Sequence, residues 1–205
     1  MVDEKANFIL IPDDDSEQRC DCTEYCKKVC KGRGCCQNSG CVLAPSDVYV
    51  LAHEFTKEER IKAIIMLLKR GDYSIDHKML KNKKSGAFVL VGSPFDRRSY
   101  LVDRSKCIAG EGVLYLRARN KGKKIVDIIH FNWEIDGPCA SWDPKKGCKF
   151  TYSKRPKGGR MLIPDNGLRF DGCEAKYHEI DAAREWLKFQ DVMYEVFKYF
   201  KDLDM

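Results

Sequence analysis

No run in this chain approaches the ~18–20 consecutive apolar residues that span a bilayer, so no membrane helix is expected. Histidine is scarce. His53, His77, His130 and His178 are the four in the chain, and none has the His-Glu-x-x-His spacing that places two ligands on one helix face. A partly exposed or core role is the default for each. No glycine-rich phosphate loop follows a strand pattern, and no Ser/His/Asp order points to a hydrolase. A surplus of one charge is also missing: 37 basic residues are mixed with 31 acidic ones, for a net charge of +6. That balance favours solubility and falls short of a nucleic-acid footprint, so nucleic acid is not the expected partner. The opening stretch carries one short apolar run, Phe8-Ile-Leu-Ile11, followed by Asp13-Asp-Asp15. It is too short and too acid-flanked for a secretory signal, and the expected location is a reducing cytoplasm.

What the chain has in excess is cysteine. Its 205 residues hold eleven: Cys20, Cys22, Cys26, Cys30, Cys35, Cys36, Cys41, Cys107, Cys139, Cys148 and Cys173. A disulfide framework is disfavoured by the odd count, the absence of an export signal and a length that needs no staples. In a reducing compartment, clustered thiols bind metal or do redox chemistry. The segment 20–41 holds seven of the cysteines and few large apolar residues. It cannot offset its chain entropy by burial, whereas metal coordination would do so directly.

The rest of the chain reads as one α+β domain over 1–205, with 1–19 as an N-terminal extension. A loop-rich cysteine lobe is expected from 20–41 together with 137–173. After Cys41, Ser46 is placed to cap a short helix carrying Val48, Leu51 and Ala52. Thr56 and Glu59 form a capping box ahead of Ile61, Ile64, Ile65 and Leu68 at helical spacing, and Gly71 stands where that helix ends. Residues 72–135 read as a small antiparallel sheet. Within it, Ala87–Val91 and Tyr100–Val102 are short apolar runs. Val113–Arg119 is expected to pair with Lys124–Phe131 as a hairpin across Asn120-Lys-Gly-Lys123. From Glu174 to Leu203 a broad apolar stripe predicts a long C-terminal helix packed on the sheet.

A thiolate-bound metal needs several sulfurs converging on one point, and short glycine-rich loops supply them in pairs. The front of the chain offers Cys22-x3-Cys26 and Cys30-x4-Cys35-Cys36; the rear offers Cys139-x8-Cys148 and then Cys173. Glycines 32, 34, 40, 137, 147 and 172 lie beside them. Adjacent residues such as Cys35 and Cys36 direct their side chains differently. One of them ligates while the other packs behind it, or each serves a different metal or cluster atom.

These residues resemble a family named for its CxxCxxCC cysteine cluster. At the front the resemblance lies in Cys30-Lys-Gly-Arg-Gly-Cys35-Cys36 and the short segment holding Asp47-Val48. At the rear it lies in Gly137-Pro138-Cys139, Gly147-Cys148, Arg155-Pro156-Lys157-Gly158-Gly159-Arg160 and Pro164. The family is described as zinc- or iron-chelating and includes relatives of flagellin lysine-N-methylase. The resemblance implies a metal centre, either zinc or an iron–sulfur cluster of the 4Fe-4S kind. It implies ligation by Cys30, Cys35 or Cys36, Cys139 and Cys148. The chain departs from the pattern at Gly159, where relatives carry a cysteine, and Cys173 is the expected replacement. Cys20, Cys22, Cys26 and Cys41 are left for a second site, and Cys107 for an ordinary thiol.

Arg155 and Arg160 are expected to support the negatively charged centre from its second shell of contacts, as guanidinium groups offset thiolate charge. The basic stretches Lys81–Lys84, Arg97-Arg98 and Lys121–Lys124 fall in turns and read as solvated charge. Trp133 and Trp142 bracket Cys139, and packing is their simplest role. Three functions fit: a structural or redox metal protein, an iron–sulfur modifying enzyme resembling flagellin lysine-N-methylase, or a zinc-stapled module for a protein or nucleic-acid partner.

Overall fold

The computed structural model describes residues 41–89, 106–126, 138–143, 145, 147–150, 154–164 and 173–203. It is an α+β arrangement. A three-stranded antiparallel sheet, of order β2-β1-β3, is built from β1 (Tyr73–Asn82), β2 (Phe88–Val89) and β3 (Cys107–Ala118). Before it lie a 3₁₀ turn (Pro45–Asp47), α1 (Tyr49–Ala52) and α2 (Lys57–Lys69). After it come two small hairpins: β4 (Trp142–Asp143) with β5 (Gly147–Cys148), and β6 (Leu162–Pro164) with β7 (Cys173–Ala175). The short helix α3 (Lys157–Arg160) lies between them. The C-terminus is α4 (Glu179–Trp186), a 3₁₀ turn (Leu187–Phe189) and α5 (Gln190–Leu203).

Local chemistry accounts for the helices. Thr56 Oγ1 accepts from the Glu59 amide, and Glu59 Oε2 accepts from the Thr56 amide at 2.9 Å, closing the expected capping box on α2. Past its end, Gly71 takes φ +83°, a conformation that glycine adopts without Cβ strain. The first turn differs from expectation. Asp47, rather than Ser46, turns back on the chain, its Oδ2 accepting from the Ala44 amide at 2.9 Å. The C-terminal helical region is also shorter and interrupted: Cys173–Ala175 is extended, and α4 begins only after His178, whose amide is capped by Asp181 at 3.0 Å.

The sheet corrects the expected hairpin. The partner of β3 is β1, in a register running from Tyr73↔Ala118 to Leu80↔Gly112 and Asn82↔Cys107. Asn120–Gly122 does form a turn, yet the Ile125 carbonyl accepts from Ile75 of β1 at 2.6 Å. Residues 90–105 and 127–137, which include Tyr100–Val102 and Trp133, lie outside the described residues. Between Lys78 and Leu80 the register shifts at Met79, which has φ 59°. Opposite it, a Cβ on Gly112 would come within 2.7 Å of the Met79 carbonyl, so the bulge and the glycine require each other.

Helices α2, α4 and α5 pack with the sheet around Trp186, Tyr115, Leu43, Ile64, Leu68, Ile75 and Met193, all fully buried. The outer edge of β3 is closed in three steps. Leu43 donates to the Leu116 carbonyl at 2.9 Å, and Cys41 accepts from Ala118 at 2.8 Å. Farther along, Gln190 accepts from the Leu114 amide at 2.8 Å and donates to the Leu114 carbonyl at 2.9 Å, as a strand would. Tyr194 then donates to the Gly112 carbonyl at 2.7 Å. Trp186 Nε1 ties the same edge to α4 through the Leu43 carbonyl, at 2.8 Å. On one face, Asp76 pairs with Arg117 at 2.5 Å, while Glu179 of α4 pairs with Lys78 at 3.0 Å.

Candidate metal centre

Three of the cysteines lie around the C-terminal end of β3. The chain leaving the 20–41 segment runs antiparallel beside β3, with a bridge between Val42 and Arg117. That register puts Cys41 opposite Ala118, and Ala118 is in turn opposite Tyr73 of β1. Directly opposed residues share a face, so Cys41, Ala118 and Tyr73 form one row across the sheet. Two residues along, Asn120 bridges Cys139, with Ala140 donating to the Arg119 carbonyl at 2.7 Å. Because alternate residues share a face, Cys139 occupies the next row on the same side as Cys41, in line with Tyr73. Cys148 enters through the β4–β5 hairpin, opposite Trp142, and Gly147 makes that turn at φ +82°.

Cys139 is buried, whereas Cys41 and Cys148 are half-buried; all three are thiols. Burial raises the pKa of Cys139, the Ser141 amide pulls it back down, and negative charge at Cys148 raises it again. An amide two residues on that points at a cysteine sulfur favours the thiolate. Burial likewise pushes the Tyr73 phenol up, and charge at Cys41, Asp72, Asp47 and Cys139 acts in the same direction. The Tyr73 ring stacks on Phe150, with centroids 6.4 Å apart.

A second loop closes on Cys41. Helix α3 leans against the chain beside β3, where Gly158 donates to the Val42 carbonyl at 3.1 Å. A Cβ on Gly158 would meet that carbonyl at 2.7 Å, so only glycine allows this approach. A Cβ on Gly159 would lie 3.2 Å from Cys41 Sγ and 3.3 Å from Arg155 Cβ. The Arg155-Pro156-x-x-x-Arg160 loop is thus the wall beside the Cys41 sulfur.

Asp47 holds that wall in place. The Lys157 amide donates to its Oδ2 at 2.8 Å, and Arg160 Nη2 donates to Oδ1 at 3.1 Å, in addition to the Ala44 amide. Asp47 is fully buried, and burial raises its pKa against the pull of these donors. Sequence reasoning noted Asp47 only as part of a short helix. Its role as a clamp between positions 44 and 160 depends on contacts more than a hundred residues apart. Arg160 also donates to the Arg155 carbonyl, and Arg155 is buried with its stem along Gly159.

The expected ligands fall into three groups. Cys30, Cys35 and Cys36, with Cys20, Cys22 and Cys26, lie outside the described residues. Cys139 and Cys148 lie close enough for charge on one to act on the other, and Cys41, expected at a second site, lies beside the other edge of β3. Cys173 opens β7 opposite Pro164. Among the described residues, no three His, Cys, Asp or Glu side chains form a group that could hold a metal ion by themselves. The donor chemistry is that of thiols with an amide aimed at one sulfur, which suits zinc or an iron–sulfur cluster and suits calcium or magnesium poorly. Among the described residues, no helix is long and apolar enough to cross a membrane. Compared with family models, curated proteins and solved structures, the chain gave no match.

Proposed function

We propose that the chain is a metal-binding protein of a reducing, cytoplasmic compartment, with a cysteine-ligated iron–sulfur or zinc centre in a structural or redox role. The observation carrying this reading is the register at the end of β3. Cys41, the last residue of the seven-cysteine segment, shares a sheet face with Cys139 of the rear group. A segment that cannot bury a core of its own therefore joins the domain at a second set of thiols. The resemblance to the CxxCxxCC cluster family supports the same reading, with Cys30, Cys35 and Cys36 as front ligands and Cys139, Cys148 and Cys173 at the rear.

In this reading the bound group supplies either a fixed crosslink or an electron-carrying site. The chain's own residues do the rest. The Ser141 amide stabilises negative charge on Cys139. Tyr73, Phe150 and Trp142 limit water at this end of the sheet, Tyr73 being buried and the other two half-buried. Arg155 adds positive charge beside Gly159, and Asp47 with Arg160 fixes the loop that carries it.

The test is the iron, zinc and acid-labile sulfide content of full-length protein purified without air. Iron with matching sulfide supports a cluster and calls for redox measurements. Zinc without sulfide makes the centre structural. Protein free of both metals, with its thiols reduced or paired, refutes the proposal.

A further inference from the structure

Three basic stretches meet at the end of the sheet where β1 begins and β3 ends, and Arg119 is their hub. Its amide donates to the Asp72 carbonyl at 2.8 Å, and its Nε donates to the Lys123 carbonyl at 2.7 Å. A Cβ on Gly71 would lie 3.9 Å from its Nη1, so the guanidinium sits between the 70–72 loop and the 121–124 turn. The Arg119 carbonyl accepts from Ala140, and the Lys121 amide donates to the Pro138 carbonyl, both at 2.7 Å. These bonds seat the 138–150 stretch alongside, and from it Lys149 reaches back to pair with Asp72. We infer that this end of the sheet is a docking surface for an acidic protein, with Arg70, Arg119, Lys121, Lys123, Lys124 and Lys149 as its cations.

Read alone, Lys121–Lys124 is solvated charge; the fold gives it neighbours of the same sign. Within 70–72, 119–124 and 138–150, seven described residues are basic, Lys145 being the seventh, and two are acidic. One acid, Asp72, is engaged by Lys149, and the other, Asp143, accepts from the Lys145 amide at 2.8 Å. Most of the chain's net charge of +6 is thus gathered at one end of the sheet. Arg70, Lys121, Lys124 and Lys149 are exposed, with Arg119 and Lys123 half-buried. Like charges assembled by folding repel one another. A carboxylate-rich partner relieves that repulsion and is steered in by the same field. The Lys81–Lys84 turn follows the opposite end of β1 and takes no part.

Protein fits this surface better than nucleic acid does. Phosphate is gripped best by the guanidinium fork, yet four of the six cations are lysines, and Arg119 commits its Nε to a carbonyl. Phe150 already stacks on Tyr73 and carries Lys149 over its ring at 5.3 Å, which makes it a poor platform for a base. The chain's pI of about 8.7 also lies below the ~9 that marks nucleic-acid-binding domains. The surface needs no bound metal and stands apart from the reading above.

The experiment measures binding of fluorescent poly-L-glutamate to full-length protein, with oligouridylate of matched charge as the comparison. The double variant Lys121→Glu/Lys124→Glu is set against Lys84→Glu/Lys198→Glu, which changes net charge equally at exposed lysines elsewhere. Far-UV circular dichroism reports folding. Wild type should bind polyglutamate, more weakly as salt rises. The first variant should lose about tenfold or more, since carboxylates then face carboxylates. The second should lose about twofold or less, its charges being screened from the surface. No binding by wild type at low salt, or equal losses in both variants, overturns the proposal. Tighter binding of oligouridylate than of polyglutamate overturns the choice of partner. Where the first variant fails to fold, carbodiimide crosslinking of wild type to polyglutamate decides. Crosslinks are expected at Lys121, Lys124 or Lys149, and an even spread over the exposed lysines overturns the assignment. No readout depends on metal content, so failure here leaves the metal-binding reading standing.

Discussion

Replacing Asp47 with alanine removes the acceptor that closes its own turn and joins it to α3. The Ala44 and Lys157 amides lose their partner, and the Arg160 guanidinium, with its side chain 11% exposed, loses its carboxylate. Breaking a buried, hydrogen-bonded ion pair from one side costs about 3–5 kcal/mol, mostly through the charge left behind. For a chain of this length each kcal/mol moves the thermal midpoint by about 2–4 °C, so Asp47→Ala should lower it by about 6–20 °C. Asp47→Asn separates shape from charge. Its carbonyl can serve both amides at the Oδ2 position, while its NH₂ would face Arg160, so a smaller loss is expected. Burial raises the Asp47 pKa above its ordinary 3.8, so the folded state takes up a proton before the unfolded state does. Stability from this group is then fully present below 3.8 and is lost as pH rises through the raised folded value. Wild type should therefore gain on Asp47→Asn as pH falls from neutrality towards that window. Thermal unfolding followed by circular dichroism, repeated across pH, measures both effects. A loss within about 0.5 kcal/mol for Asp47→Ala, typical of a surface site, would refute the clamp.

Other expectations follow from single contacts. Gly158→Ala forces a Cβ to within 2.7 Å of the Val42 carbonyl and should cost about 1–3 kcal/mol in denaturant unfolding. A neutral result would mean that α3 does not rest on that strand. Gln190→Ala strips the Leu114 amide and carbonyl of their side-chain partner and should cost about 1–3 kcal/mol, with faster amide exchange at Leu114. Unchanged exchange there would refute the edge closure. Gly159→Cys would set a Cβ 3.2 Å from Cys41 Sγ. Disulfide bond geometry puts each Cβ at ~3 Å from the opposite sulfur, so oxidation of metal-free protein should link the two positions. Mass spectrometry of the digest should find that crosslink, and pairing of either thiol elsewhere would count against the wall beside Cys41.

What sequence made legible was whatever depends on neighbours in the chain. The Thr56–Glu59 capping box, Gly71 beyond α2, and the turn at Asn120–Gly122 each follow from side chains within a few residues of one another. Pairing was harder. Asn120-Lys-Gly-Lys123 links two apolar runs and reads as a hairpin turn, yet β3 pairs with β1, a partner that no local turn announces. In β1 that alternation is blurred by the Asp76–Arg117 pair, which takes a carboxylate onto a covered sheet face. The helix expected from Glu174 starts late for a related reason. Apolar periodicity cannot reveal that Ile163 and Glu174 pair as strand residues. At the candidate centre, glycine-flanked spacing singles out Cys139 and Cys148, whereas the place of Cys41 beside β3 depends on a strand more than seventy residues away and leaves no local signal.

The closure of β3 by Gln190 and Tyr194 has a consequence for the order of folding. Strand β3 is made long before the helix that satisfies its outer edge. Until α5 docks, the amide and carbonyl of Leu114 and the carbonyl of Gly112 form an open template for another strand. A chain released before Gln190, or a variant whose last helix docks slowly, therefore presents a sticky apolar ribbon, Val113-Leu-Tyr-Leu116, to its neighbours. The C-terminal helix acts as a built-in chaperone for the sheet it covers, and self-association through that ribbon should rise in proportion to the time it spends undocked.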